Sequence, residues 1–201
     1  MDTMKLNIND KYIDEFPDEF KKSYLDFKNG LFDTEEWGSH QPLLIHLVNT
    51  ITEGSVIELG MGDNSTPLLH LLCEKLRRKL FSYDFDNNWY NKYKLYENDN
   101  HKLFLLDENL FRNNKYNFDR STIMFIDSHP DWTRQHAIYF LRNYADYFIV
   151  HDTSYVKDGV VCSDNNYDFD FFKNVLHFNK VSRVSTLFTN KDITEELNKI
   201  F

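Results

Sequence analysis

Long apolar runs, cysteine pairs and an excess of basic residues are all missing from this chain of 201 residues. No apolar stretch approaches the ~20 residues that cross a bilayer as a helix. The start, Met1-Asp-Thr-Met-Lys-Leu-Asn7, lacks the basic opening and apolar middle of a signal peptide, so the expectation is a cytoplasmic protein with no membrane partner. Two cysteines, Cys73 and Cys162, make neither a disulfide framework nor a metal-ligand spacing, and both read as ordinary thiols. The formal charge of −9 argues against a nucleic-acid partner, whose binding rests on Lys and Arg neutralising phosphates. A local basic cluster, Lys75-Leu-Arg-Arg-Lys79, reads as the solvated end of a helix, where the dipole favours cations. There is also no internal repeat, long linker or low-complexity tract.

What is present suits one well-packed domain, with 41% hydrophobic and 16% aromatic residues. Tyr12 to Phe32 is aromatic and charged without β alternation and predicts one or two helices; Gln41 to Thr52 predicts a short amphipathic helix. Residues 1–54 are thus expected to form a helical cover leading into the first strand, and residues 55–201 the core. Strands are expected at 55–59, 80–85, 102–106, 122–126, 147–150 and 181–188, and helices at 66–79, 88–96, 132–144, 169–178 and 193–200. This alternation predicts an α/β fold: a Rossmann-like, doubly wound, mostly parallel sheet flanked by helices.

The most informative stretch is Ser55-Val-Ile-Glu-Leu-Gly-Met-Gly-Asp-Asn-Ser-Thr66. An apolar strand runs into Gly60 and Gly62, which let the backbone turn sharply and approach a ligand closely. Ser65 and Thr66 then open the helix with a cap residue and Pro67 in its first turn. Such a turn serves either a dinucleotide or S-adenosylmethionine. The dinucleotide pattern wants a third glycine where Ser65 stands, and Glu58 beside the loop is a poor neighbour for a pyrophosphate.

Ligands in such a sheet gather beyond the carboxyl ends of the strands. Those ends are acidic here. Asp84, a little over twenty residues past the glycines, suits the ribose hydroxyls, while Asp86 suits a helix cap. Asp107 ends the third strand, where it could accept from the adenine amino group. The fourth strand runs into Asp127-Ser-His129-Pro-Asp131, and the fifth into His151-Asp152. A carboxylate and an imidazole there suit a general base with its orienting partner, His129 or Asp127 taking a hydroxyl proton. Asp127 and Asp152 could instead hold a divalent cation such as Mg²⁺ or Mn²⁺, or the acids could simply cap the following helix.

The pattern E-x-G-x-G-x-x-S over Glu58, Gly60, Gly62 and Ser65 resembles motif I of the class I S-adenosylmethionine-dependent methyltransferases. Ile126-Asp-Ser-His-Pro130 with His151-Asp-Thr-Ser154 resembles the rim of small O-methyltransferases that modify sugars and natural products. The resemblance spans about Trp37 to Tyr155. It implies Glu58, Gly60, Gly62, Ser65, Asp84 and Asp107 at the cofactor, and catalysis from Asp127, His129 and Asp152. Those relatives carry more acidic rim motifs, Asp-Gly-Asp and Asp-Asp, so the departures at Ser128, His129 and His151 leave a metal requirement open. Gly38-Ser-His-Gln41 resembles the start of the same group, making Ser39, His40 and Gln41 candidate cofactor or substrate contacts; read by itself, Ser39 suits a helix cap. Trp37, Trp89, Trp132, Tyr155 and Tyr167 could line a sugar pocket, with Ser154 to Tyr167 as a lid. The expected activity is methyl transfer from S-adenosylmethionine to a hydroxyl of a small acceptor, a saccharide or glycoside. The rivals are a nicotinamide-dependent oxidoreductase and a non-catalytic cofactor-binding subunit of a glycan-building enzyme.

Overall fold

The computed structural model describes residues 38–157, 160–163, 167, 170–178 and 183–198, with isolated positions at 18, 20, 21 and 25. Of the helices expected between Tyr12 and Phe32 only positions 18, 20, 21 and 25 are described, and these are helical; the rest, and with it most of the 1–54 cover, lies outside the described residues. The elements are α1 Gln41–Thr50, β1 Val56–Leu59, α2 Thr66–Lys75, β2 Leu80–Asp84, α3 Asn87–Tyr93 with a 3₁₀ turn at Lys94–Tyr96, and β3 His101–Leu105. They continue with α4 Glu108–Arg112, β4 Ile123–Ile126, α5 Trp132–Phe140, β5 Tyr147–Lys157, β6 Val160–Ser163, β7 Asn174–Phe178, β8 Arg183–Thr189 and α6 Glu195–Asn198. Seven strands lie in one row, β3-β2-β1-β4-β5-β8-β7, and β6 folds back onto the far half of β5 as a hairpin. β8 runs antiparallel to both neighbours; the pairings from β3 through β5 are parallel. The chain is a Rossmann-like α/β domain.

The central strands carry apolar residues on both faces because helices cover both. Val56, Ile123, Phe125 and Ile149 face a cluster with Leu43, Leu47, Leu68 and Leu72 of α1 and α2. Their neighbours Ile57, Met124, Ile126 and Phe148 face the opposite cluster, with Phe111 of α4 and Ala137 and Ile138 of α5. Period-two alternation therefore splits each strand between two cores. Leaving β1 the chain winds outward through β2 and β3, then returns to β4 on the other flank. The reversal opens a crevice between the carboxyl ends of β1 and β4, the usual ligand position in such sheets.

Four expectations are corrected. The helix expected at 169–178 is replaced over Asn174–Phe178 by β7. Phe171, Val175 and Phe178 are spaced like a helical stripe, but β8 offers an unpaired edge and its backbone hydrogen bonds decide the outcome. The proposed lid is in its described part the β5–β6 hairpin, which also takes Cys162 out of a loop and into a strand. Lys75, Arg77 and Lys79 are exposed at the end of α2, as expected of a solvated helix end, but Arg78 is not. α2 stops at Lys75, Arg77 turns through φ +54°, and the buried Arg78 guanidinium donates to the carbonyls of Val48, Ile51, Glu53 and Gly54 at 2.6–3.0 Å. It thereby satisfies carbonyls orphaned at the end of α1. Ser65 and Ser39 do not cap helices; neither α1 nor α2 has a side-chain cap.

Candidate functional site

The glycine loop rests on a buried carboxyl. Glu58 in β1 is fully buried, accepting from Ser65 Oγ at 2.7 Å, Thr66 Oγ1 at 2.9 Å and Ser82 Oγ at 2.6 Å. Thr66 Oγ1 in turn accepts from the Gly62 backbone amide at 3.0 Å, so one carboxyl fixes both ends of the turn. Burial pushes the Glu58 carboxyl up to about 7, although the three hydroxyl donors pull it down. Glu58 and Ser65 thus act on the loop from beneath.

The two glycines differ. Gly60 has φ +101°, and a Cβ there would lie 2.5 Å from the Asp127 carbonyl and 2.6 Å from Ser128 Cα. Its glycine is demanded by the protein's own backbone. At Gly62 a Cβ would meet only Ser65 Oγ, at an ordinary 3.6 Å. No protein atom demands glycine at Gly62.

Asp84 ends β2 beside the loop. Its two oxygens accept from the amides of Met61 at 2.6 Å and Asp86 at 2.7 Å, tying the strand end to the turn. Burial raises its carboxyl above the ordinary value. Gln41, at the start of α1, donates to the Asn64 carbonyl at 3.0 Å and closes the loop's other side. Asp86 caps α3 through the Asn88 amide, and Asp107, exposed, caps α4 through the Leu110 amide at 2.9 Å. Gln41 and Asp84 thus meet the glycine loop directly, while Asp107 stands in the outer loop after β3.

Across the crevice, β4 and β5 build a charged rim. Asp127 follows β4 and receives Arg134 Nη2 at 2.9 Å on one oxygen and His151 Nδ1 at 3.2 Å on the other. Burial alone would raise its carboxyl, but His151 and Arg134 outweigh that and hold it below the usual range. Asp152 lies 3.6 Å from both Arg134 Nη1 and His151 Nε2. Adjacent residues of a regular strand face opposite ways. Here a register shift between Val150 and Ser154, with Asp152 at φ +54°, lets His151 and Asp152 reach the same partners. Ser39 Oγ lies 3.0 Å from His151 Nε2 and donates to the Arg183 carbonyl. His40, 2% exposed, packs edge-on against His151 and beside Phe125; burial pushes its pKa down to about 3.

Asp127 and Asp152 are therefore brought together, but His129 is not. Its ring is 86% exposed and lies 3.7 Å from Asp131. The imidazole in contact with Asp127 is His151. Arg134 escaped the sequence reading, and its only signal was an arginine in the first turn of the helix that follows an acidic loop. Of the aromatic candidates, Trp132 sits beneath the Arg112 guanidinium and Trp89 stacks on Tyr93.

No protein-family model matches the sequence, and no curated protein sequence is significantly similar. Solved structures do match. An O-methyltransferase from Bacillus cereus, solved in complex with SAH, superposes with a TM-score of 0.56 at 10% identity, covering 92% of this chain and 98% of that one. A putative O-methyltransferase from Klebsiella pneumoniae gives 0.52 at 13% identity, covering 94% and 99%. The fold is that of the Rossmann-like methyltransferases. In this methyltransferase fold the glycine loop and the rim occupy the two sides of the β1/β4 crevice.

Proposed function

We propose that the protein is an S-adenosylmethionine-dependent O-methyltransferase whose acceptor is a small polyhydroxylated molecule of the saccharide or glycoside class. The observation that carries this reading is the seat of Gly60 on Asp127 and Ser128, which sets the cofactor loop directly against the acidic rim. The freedom at Gly62 fits the cofactor: its glycine has no explanation in protein sterics, since a Cβ there would meet only Ser65 Oγ at an ordinary distance, and glycine lets a ligand approach the backbone closely. Gln41, Met61, Gly62 and Asp84 would hold it, with Asp84 at the ribose. When bound, the cofactor supplies an electrophilic methyl group on a sulfonium.

The remaining chemistry belongs to this chain. Asp127 and Asp152, each about a quarter exposed, offer carboxylate oxygens that suit a ligand rich in hydroxyl donors. Arg134 holds the two carboxylates apart and correctly turned. Asp127 accepts the acceptor's hydroxyl hydrogen and takes its proton as the oxygen attacks, His151 stabilising the carboxylate from behind. Orientation of the hydroxyl would supply much of the rate. His129 has no part in this scheme.

The test is calorimetry with S-adenosylhomocysteine. Wild type is expected to bind one equivalent, and Asp84→Ala to bind at least about tenfold more weakly, the scale of a lost charge-assisted hydrogen bond pair. No binding by the wild type, or unchanged affinity in the variant, overturns the cofactor site. A methyl-donor assay over a sugar panel then tests the acceptor class.

A further inference from the structure

The crevice end of the sheet is acidic, and the opposite end carries a cavity of the other sign. Arg120 precedes β4, Asp146 precedes β5, and Lys191 follows β8, whose last residue Thr189 pairs with Tyr147 at the start of β5. α5 runs back from the crevice and brings Arg142 to the same place. With Ala145 and Phe172 these residues line an open cavity of about 470 Å³, within the size range of small-molecule sites. The length of β4, four residues or roughly 13 Å, separates it from the rim.

Its charges are not balanced. Asp146 Oδ1 receives Arg120 Nη2 at 2.8 Å and Lys191 Nζ at 3.4 Å, so one carboxylate oxygen serves two cations. Arg142 adds a third. Its guanidinium lies 4.9 Å from the Tyr139 ring centre and 5.4 Å from that of Phe171, and one N–H donates to the Tyr139 carbonyl at 2.6 Å, which leaves most of its five donors for another partner. The group is also built on fixed backbone: the Asp146 carbonyl accepts from Thr189 Oγ1 at 2.7 Å, and Thr189 Oγ1 accepts from the Lys191 amide at 2.9 Å. Three cations thus face the one carboxylate in the lining, in a chain whose formal charge is −9. Exposed ion pairs of this kind add little stability, and crowded cations repel one another unless an anion stands among them.

We propose that this cavity binds a small organic phosphate, its phosphoryl group among Arg120, Arg142 and Lys191 and its organic part over Ala145 and Phe172. A guanidinium fork matches phosphate oxygens two at a time, and a lysine adds a point charge. Ala145 and Phe172, both buried, supply an apolar floor that a bare anion would not use. The acidic crevice disfavours the same ligand, so the two ends of the sheet select opposite charges. The site does not depend on the methyl-transfer reading.

The test is calorimetry on the full chain in about 0.15 M NaCl, near physiological ionic strength. Phenyl phosphate is expected to bind with one equivalent, inorganic phosphate more weakly and phenol not at all. Arg120→Gln, Arg142→Gln and Lys191→Gln should each weaken phenyl phosphate at least about fivefold, the scale of one lost charge-assisted contact. Lys79→Gln, at an exposed lysine just before β2, should not. The Arg120 and Lys191 side chains are exposed, so their variants are expected to melt as the wild type does. No saturable binding by the wild type, inorganic phosphate or phenol binding as tightly as phenyl phosphate, or unchanged affinity in Arg120→Gln and Lys191→Gln would each overturn the proposal. S-adenosylhomocysteine binding is expected to be the same in all these variants, which keeps a failure here distinct from a failure of the cofactor site.

Discussion

The glycine loop and the charged rim touch at Gly60 and are built in opposite ways. The loop is mostly local: Glu58, Gly60, Gly62, Ser65 and Thr66 lie within nine residues, and neutral hydroxyls satisfy the buried Glu58 carboxyl, two from the loop itself and one from Ser82. The rim is assembled from afar, its Ser39–His151 contact joining residues 112 positions apart, and it is held by opposed charges. A local device is rigid because its hydrogen bonds close small rings. A distant one depends on every helix and strand that brings its parts together.

The strongest way to break this contrast is at the seam. Gly60→Ala must relieve a 2.5 Å clash with backbone and a φ of +101°, so it is expected to cost about 3 kcal/mol or more. Thermal melts should fall by roughly 6–12 °C. A shift below a couple of degrees would mean that loop and rim are not locked to one another.

Next comes the buried carboxyl. Glu58 is raised from 4.5 to about 7 in the folded protein, so the folded state binds the extra proton between those values. Its contribution is fully present below pH 4.5 and is lost as pH rises through about 7, by about 3 kcal/mol in all. Asp84, raised in the same direction, adds to this trend, whereas the lowered carboxyls of Asp63, Asp127 and Asp192 oppose it. The difference between wild type and Glu58→Gln therefore isolates the effect. The variant, neutral at every pH, should lack that loss, and parallel stability curves for the two proteins from pH 4.5 to 7.5 would refute the protonated carboxyl.

The smallest expected effect on stability is Gly62→Ala, within about 0.5 kcal/mol because its Cβ meets only Ser65 Oγ at 3.6 Å. The same change should weaken S-adenosylhomocysteine binding about tenfold by filling the space beside the loop, a loss of roughly 1.4 kcal/mol. Unchanged binding would show that Gly62 does not face the ligand.

Much of the sheet was legible because buried parallel strands are continuous apolar runs between helices, as at Val56–Leu59 and Ile123–Ile126. The Asp84 position was legible because a strand of fixed length follows a helix of fixed length after the glycines. The antiparallel edge was not. Nothing within Asn174–Phe178 distinguishes an edge strand from a helix until β8 stands beside it. Nor does the charge of Arg78 reveal that the end of α1 will lie over it.

The chain's own residue order determined the doubly wound pattern, the glycine turn with its supporting acid, and the acids at Asp84, Asp107, Asp127 and Asp152, since these depend on neighbours within a few positions. Tertiary structure alone decided that His151 rather than His129 meets Asp127, that His40 and Ser39 converge on that ring, and that Arg134 divides the two carboxylates. The physical reason is the kink at Asp152: a register shift in one strand reverses which side chains face the crevice, and its pairing with β8, thirty residues further on, is invisible in local sequence.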